Sequence, residues 1–193
     1  MTTTSQLRQI WAPPCEGPHT KVSLFGAGAV SVRPEIVDAV KALSACMEVH
    51  GYKSRKADTG AYNCRKITNG DGFSLHAYGI ALDINWQSNP YGPKLVTDMP
   101  TEMVEAIKAI RTGNGKQVWR WGGDYKGNKD AMHFEVVCSP ADLKTGIENL
   151  PEEDDMAGEG PEILQRIKEI QATQERQNEQ LKALEEKVAK LEK

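Results

Sequence analysis

The chain holds only four histidines, and two of them, His76 and His133, lie in polar, strand-like segments that also carry Asp83 and Asp130. A single histidine in such a setting is more often an ordinary loop or strand residue than a ligand. The set is more specific. A catalytic zinc takes three protein ligands of the nitrogen or carboxylate type and keeps a fourth position open. His76 and Asp83 stand seven residues apart in Ser74-Leu75-His76-Ala77-Tyr78-Gly79-Ile80-Ala81-Leu82-Asp83, where Gly79 can turn the chain so that a loop residue and a strand residue converge. His133 would complete the ligand set from a neighbouring strand. Asp130, three residues earlier, could reach a metal-activated water as general base. Without His133 beside it, Asp130 reads as a loop aspartate that caps a turn.

Several elements must position these groups. The opening up to Val32 is rich in Pro, Gly and Ser and reads as irregular structure or short extended pieces that wrap the domain. A helix is predicted over 33–50, with Pro34 in its first turn, Ile36, Val37, Val40, Leu43, Ala45 and Met47 along one stripe, and Gly51 as its stop. Residues 52–73 read as a long functional loop. From Ile80 to Trp86 apolar and polar residues alternate, so Asp83 should point away from Ile80, Leu82 and Ile84. A second helix is predicted over 101–111 with Thr101 as N-cap, and a strand over 132–137 in which His133 and Glu135 share a face.

Domain organisation follows from charge. Residues 1–150 hold 17 Lys+Arg against 15 Asp+Glu, so no basic excess points to nucleic acid. Residues 151–161 hold five acids and no base and read as a solvated linker separating a domain over 1–150 from a tail over 162–193. In the tail Ile163, Ile167, Ile170, Gln174, Gln177, Leu181, Leu184, Val188 and Leu191 recur at alternating steps of four and three, the seam of a coiled coil, so the chain is expected to form a homo-oligomer through it. A single helix folded back on the domain is the weaker alternative.

No apolar stretch is long enough for a membrane span, and the first residues lack a signal-peptide pattern. The expectation is synthesis in the cytoplasm. Cys15, Cys46, Cys64 and Cys138 lack zinc-site spacing and are expected as free thiols, with Cys46–Cys64 or Cys64–Cys138 bridges as alternatives.

Ser74-x-His76-x-x-Gly79-x-Ala81-x-Asp83, followed by Trp121-Gly122-Gly123-Asp124-Tyr125 and Asp130-x-x-His133-Phe134-Glu135, resembles the signature of the M15 zinc peptidases over about residues 33–138. That family includes D-alanyl-D-alanine carboxypeptidases and phage L-alanyl-D-glutamate endopeptidases. The resemblance implies an α+β fold, a small antiparallel sheet with flanking helices as in M15 and hedgehog-like domains. It implies Zn2+ on His76, Asp83 and His133, with Asp130 catalytic, and peptidoglycan stem peptides as substrate. Arg65 is the implied carboxylate-binding arginine, with Arg55 as competitor, and Ser74 matches a substrate-contacting position. Glu135 is either a support for His133 or a surface strand carboxylate. Tyr52, Tyr78, Trp86 and Trp121 are minor candidates for the cleft. Aspartate at 130, where carboxypeptidase branches more often carry glutamate, tilts the expectation to an endolysin-like endopeptidase reaching the wall through holin-type release or as a virion component. A D-alanyl-D-alanine carboxypeptidase is the alternative within the class, and a catalytically silent zinc-containing wall-binding module the alternative outside it.

Overall fold

The Met-Thr-Thr-Thr-Ser opening begins with a helix, because Thr3 and Gln6 form a reciprocal capping box: the Thr3 hydroxyl accepts from the Gln6 amide and the Gln6 side chain accepts from the Thr3 amide. This helix, α1 (Thr4–Ile10), corrects the expectation of irregular structure there. Its Thr-x-x-Gln cap was legible in the sequence. The computed structural model describes residues 2–26, 28–67 and 71–148. The linker and coiled-coil expectations for 151–193 lie outside them.

After α1 come the hairpin strands β1 (Thr20–Leu24) and β2 (Gly28–Val32), paired antiparallel. Pro34 opens a short 3-10 turn that runs into helix α2 (Val37–Val49), whose Ala39, Val40, Leu43, Cys46 and Met47 are buried. A long loop leads to β3 (Ala81–Asp83) and β4 (Tyr91–Gly92). Helix α3 (Thr101–Ala109) then buries Met103, Val104 and Ile107. Pro100, not Thr101, holds its N-cap position and no side chain caps it, since Thr101 already has a place in the first turn. The remaining elements are β5 (Arg111–Thr112), β6 (Trp119–Trp121), β7 (Lys129–Asp130), β8 (His133–Val136), α4 (Pro140–Leu143) and β9 (Ile147–Glu148).

The fold is α+β. A three-stranded antiparallel sheet in the order β3-β8-β6 carries the site, with β1-β2, β4-β7 and β5-β9 as separate two-stranded pairs. Ile80, Leu82, Phe134, Val136 and Trp119 are fully buried. Each such side chain contributes on the order of 1.5–3 kcal/mol when withdrawn from water. Helices α2 and α3 pack on each other and on β1 and β6 respectively, and the Trp119 indole donates to the Ala39 carbonyl at 3.2 Å. Ile80, Leu82 and Ile84 are buried as expected, but so are Ala81 and Asn85, the strand stops after Asp83, and Asn85 takes a left-handed φ of 51°.

The cysteine expectation is overturned. Cys15 and Cys64 form a disulfide, while Cys46 and Cys138 are free and buried. The pairing follows from the path of the 52–73 loop, which returns to the opening segment: the Cys15 amide donates to the Ala77 carbonyl at 2.6 Å and the Tyr62 hydroxyl to the Cys15 carbonyl at 3.5 Å. Spacing along the chain carries no information on such a tertiary return. Replacing both cysteines (Cys15→Ser, Cys64→Ser) is expected to lower unfolding free energy by about 2–4 kcal/mol, measured by denaturant titration against the oxidised wild type.

Candidate metal centre and catalytic cleft

The site is assembled on one register. Asp83 of β3 stands directly opposite His133 of β8. The Asp83 Oδ1 lies 2.9 Å from His133 Nδ1, and its Oδ2 lies 3.1 Å from His76 Nε2. His76 Nε2 and His133 Nδ1 are themselves 3.2 Å apart.

His76 reaches this point from a 3-10 turn over Leu75–Tyr78. Ser74 caps the turn, its hydroxyl accepting from the His76 amide at 3.4 Å. Gly79 ends it at φ 68°, where a Cβ would also stand 3.0 Å from the Arg33 amide nitrogen and 3.2 Å from the His19 ring. The His76 Nδ1 lies 2.6 Å from the Ala61 carbonyl. A proton on Nδ1 donated to that carbonyl leaves the Nε2 lone pair facing Asp83 and His133.

Three donor atoms therefore converge within 4.8 Å of one another on two histidines and a carboxylate. Tetrahedral zinc with bonds of about 2.0–2.1 Å separates neighbouring ligand atoms by roughly 3.3 Å. The observed spacings of 2.9–3.2 Å are close to that value, so these residues fit the ion and could hold it. The charge on Asp83 suits the same purpose. Burial would raise its pKa, but hydrogen bonds from His133 and His76 and their charges overcome that and hold it well below the usual carboxylate range.

Glu135, two residues along β8, is 2 % exposed and so is not a surface carboxylate. Its Oε2 lies 3.6 Å from His133 Nε2, on the side of the ring away from Asp83. Its Oε1 accepts from Arg120 Nε at 2.5 Å and from the Tyr125 hydroxyl at 2.7 Å. Burial opposes ionisation of Glu135, yet His133 and Arg120 pull its pKa down to about 2. Burial and the adjacent Glu135 charge push the Tyr125 phenol up, which keeps it a donor. For His133, burial disfavours the cation, but Asp83 and Glu135 raise its pKa to about 10.

Asp130 is brought in by β7, which pairs with β4 so that Tyr91 faces Asp130. Gly122 makes room for it: a Cβ there would meet the Asp130 carbonyl oxygen at 2.4 Å and its Cβ at 2.8 Å. The Asp130 Oδ1 is buried and has no hydrogen-bond partner among the described residues. A buried acceptor left without a partner costs about 1–3 kcal/mol, and the residue that carries it lines the cleft that holds the donor set. Burial, followed by the nearby Asp83 charge, raises the Asp130 pKa against the opposing pull of His133, His76 and Arg65.

Asp130, His76, Asp83, His133 and Glu135 line one cleft of about 560 Å³, together with the predicted Arg65 and Ser74. Arg55 does not. It grips the buried Asp58 at 2.7 Å and donates to Ser88. The aromatic candidates Tyr52, Tyr78, Trp86 and Trp121 are likewise absent from the wall, where Tyr91 and Tyr125 stand instead. In the sequence Tyr125 stands out only through the Trp121–Tyr125 motif, and no motif marks Tyr91.

A family model described as D-alanyl-D-alanine carboxypeptidase, of the M15 peptidases, matches residues 68–136, the stretch that holds all three donor residues and Asp130. Over this segment the chain is similar to the M15 peptidases. The match supports a metallopeptidase acting on peptidoglycan, with His76, Asp83 and His133 as the residues that could hold its zinc. Neither the curated proteins nor the solved structures contain a match to it.

Glu135→Gln keeps the shape of the side chain but removes the charge facing His133. Competition with a chelator is expected to show zinc affinity reduced by about 10–100-fold with the fold retained.

Proposed function

We propose that this protein hydrolyses the L-alanyl-D-glutamyl bond of peptidoglycan stem peptides, as an endolysin-like endopeptidase. The observation that carries hydrolysis is the placement of the Asp130 carboxylate, whose Oδ1 has no partner among the described residues, in the same cleft as the His76–Asp83–His133 donor set. Aspartate at 130, in place of the glutamate more usual in the carboxypeptidase branches, supports the endopeptidase specificity. The description of the matching family model favours a second reading, release of terminal D-alanine.

When bound, zinc supplies a Lewis acid that polarises the scissile carbonyl and acidifies a water. Asp130 accepts the proton of the attacking water on its carboxylate. It then returns the proton to the amide nitrogen as the carbon–nitrogen bond breaks, leaving a carboxylate and an amine. Its raised pKa brings it nearer the working range of a base that must also act as an acid. Arg65 offers a planar pair of donors to a substrate carboxylate. Ser74, already used to cap the His76 turn, adds a hydroxyl to the same wall.

Asp130→Ala is expected to lower kcat on purified peptidoglycan by about 10²–10⁴-fold with zinc content unchanged. Background-level release of amino termini by both wild type and variant would overturn the hydrolase reading. Mass spectrometry of the wild-type products distinguishes cleavage after L-alanine from loss of terminal D-alanine.

The heptad seam of 162–193 supports self-association, which would multiply wall contacts through effective concentration. Export by holin-type release or carriage on a virion is the route proposed for such a lysin. Sedimentation of the full chain at micromolar concentration should give an oligomer, and a clean monomer would remove that part of the reading.

A further inference from the structure

Helix α1 lies outside the stretch that matches the family model, yet it forms part of the cleft wall through Thr4 and Arg8. Arg8 is held in place on several sides. Its Nε donates to the Phe73 carbonyl at 2.9 Å. Its guanidinium lies against Gly72 so closely that a Cβ there would stand 2.8 Å from Nη1 and 2.9 Å from Cζ.

The helix that carries it is itself anchored. Leu7 and Trp11 are fully buried, the Trp11 indole donates to the Cys138 carbonyl at 3.1 Å, and Arg120 donates to the Thr2 carbonyl and the Thr4 hydroxyl. A few residues on, the Cys15–Cys64 disulfide fastens this segment to the residue next to Arg65. Neither Arg8 nor Arg65 has a carboxylate partner among the described residues, whereas Arg55 and Arg120 do. The cleft thus combines a centre of three carboxylates, Asp83, Asp130 and Glu135, with two guanidinium groups that have no carboxylate partner among the described residues and come from separate segments.

We propose that Arg8 is a specificity-determining residue that binds a second substrate carboxylate, so that with Arg65 the cleft selects stem peptides bearing two carboxylates near the scissile bond. This rests on the peptidase reading of the site. A D-glutamyl residue joined onward through its side-chain carboxyl keeps its α-carboxylate free, and that group is the chemistry a fixed arginine recognises by paired, charge-assisted hydrogen bonds. Because Arg8 is pre-positioned by Phe73, Gly72 and the anchored helix, little freedom is lost when it binds.

The test uses the full, zinc-loaded chain and synthetic stem peptides in which each carboxylate is presented in turn as the free acid or the carboxamide. Wild type is expected to prefer the acid at each of two positions by about tenfold in kcat/KM, a difference of the size one charge-assisted contact supplies. Arg8→Gln should abolish one of the two preferences through KM and leave the other, with kcat and the peptide amidated at the affected position within about twofold. Arg8→Lys should keep part of the affected preference. Gly72→Ala, which retains the arginine but displaces its head group, should weaken it in the same direction. Equal effects of Arg8→Gln on acid and amide peptides, or an acid preference in wild type at one position or none, would overturn the proposal. Product masses from wild type report separately which bond is cut, so a carboxypeptidase outcome and a failure of Arg8 are read independently.

Discussion

Asp83 and His133 face each other across the β3–β8 ladder, and the site depends on that pairing. Side chains alternate between faces of a strand, so a slip of one residue would set Asp83 against Phe134 or Met132 and turn His133 toward the core. The register is held by the apolar side of the same strands. Ile80, Leu82, Phe134 and Val136 are fully buried and cannot exchange faces without exposing a large apolar area. Ladder bonds from the Ile84 amide to the Met132 carbonyl and from the Val136 amide to the Ile80 carbonyl extend the pairing past both ends of β3. Packing of ordinary hydrophobic residues thereby fixes the distance between two polar ones to about the spacing a tetrahedral ion requires.

Outward from the donor atoms, each group is oriented by another. The Ala61 carbonyl orients His76, Glu135 faces the far side of His133, and Arg120 with Tyr125 holds Glu135. Such supports keep ring orientation and ionisation in place before any ligand arrives. Arg120 also donates to the start of α1, so the support behind His133 and the wall that presents Arg8 share one guanidinium. The family-like centre and the chain's own N-terminal segment are in this way parts of a single hydrogen-bonded construction.

Much of the site was legible as residue types and spacing. His76, Asp83 and His133 come together, Asp130 stands beside them, and Arg65 and Ser74 line the same cleft. These groups sit in local patterns that can be read directly: a capped turn ending in glycine, and two strands in which bulky apolar residues recur at every second position. Helix α2 was equally plain from its stripe and its flanking proline and glycine. The N-terminal helix escaped notice because Pro13, Pro14, Gly17 and Pro18 follow it closely and dominate the composition, although Thr3 and Gln6 marked its start.

The sequence by itself determined the chemistry available: which atoms can ligate a metal, which carboxylate can take a proton, and which faces of which strands must be buried. Tertiary structure alone decided the disulfide partner, the commitment of Arg55 to Asp58, the burial that makes Glu135 a support for His133, and the arrival of Arg8, Tyr91 and Tyr125 at the cleft. The reason is physical. Local periodicity and capping act over a few residues and are written in adjacent side chains, whereas these later features join segments tens of residues apart, whose meeting is set by how the whole core packs.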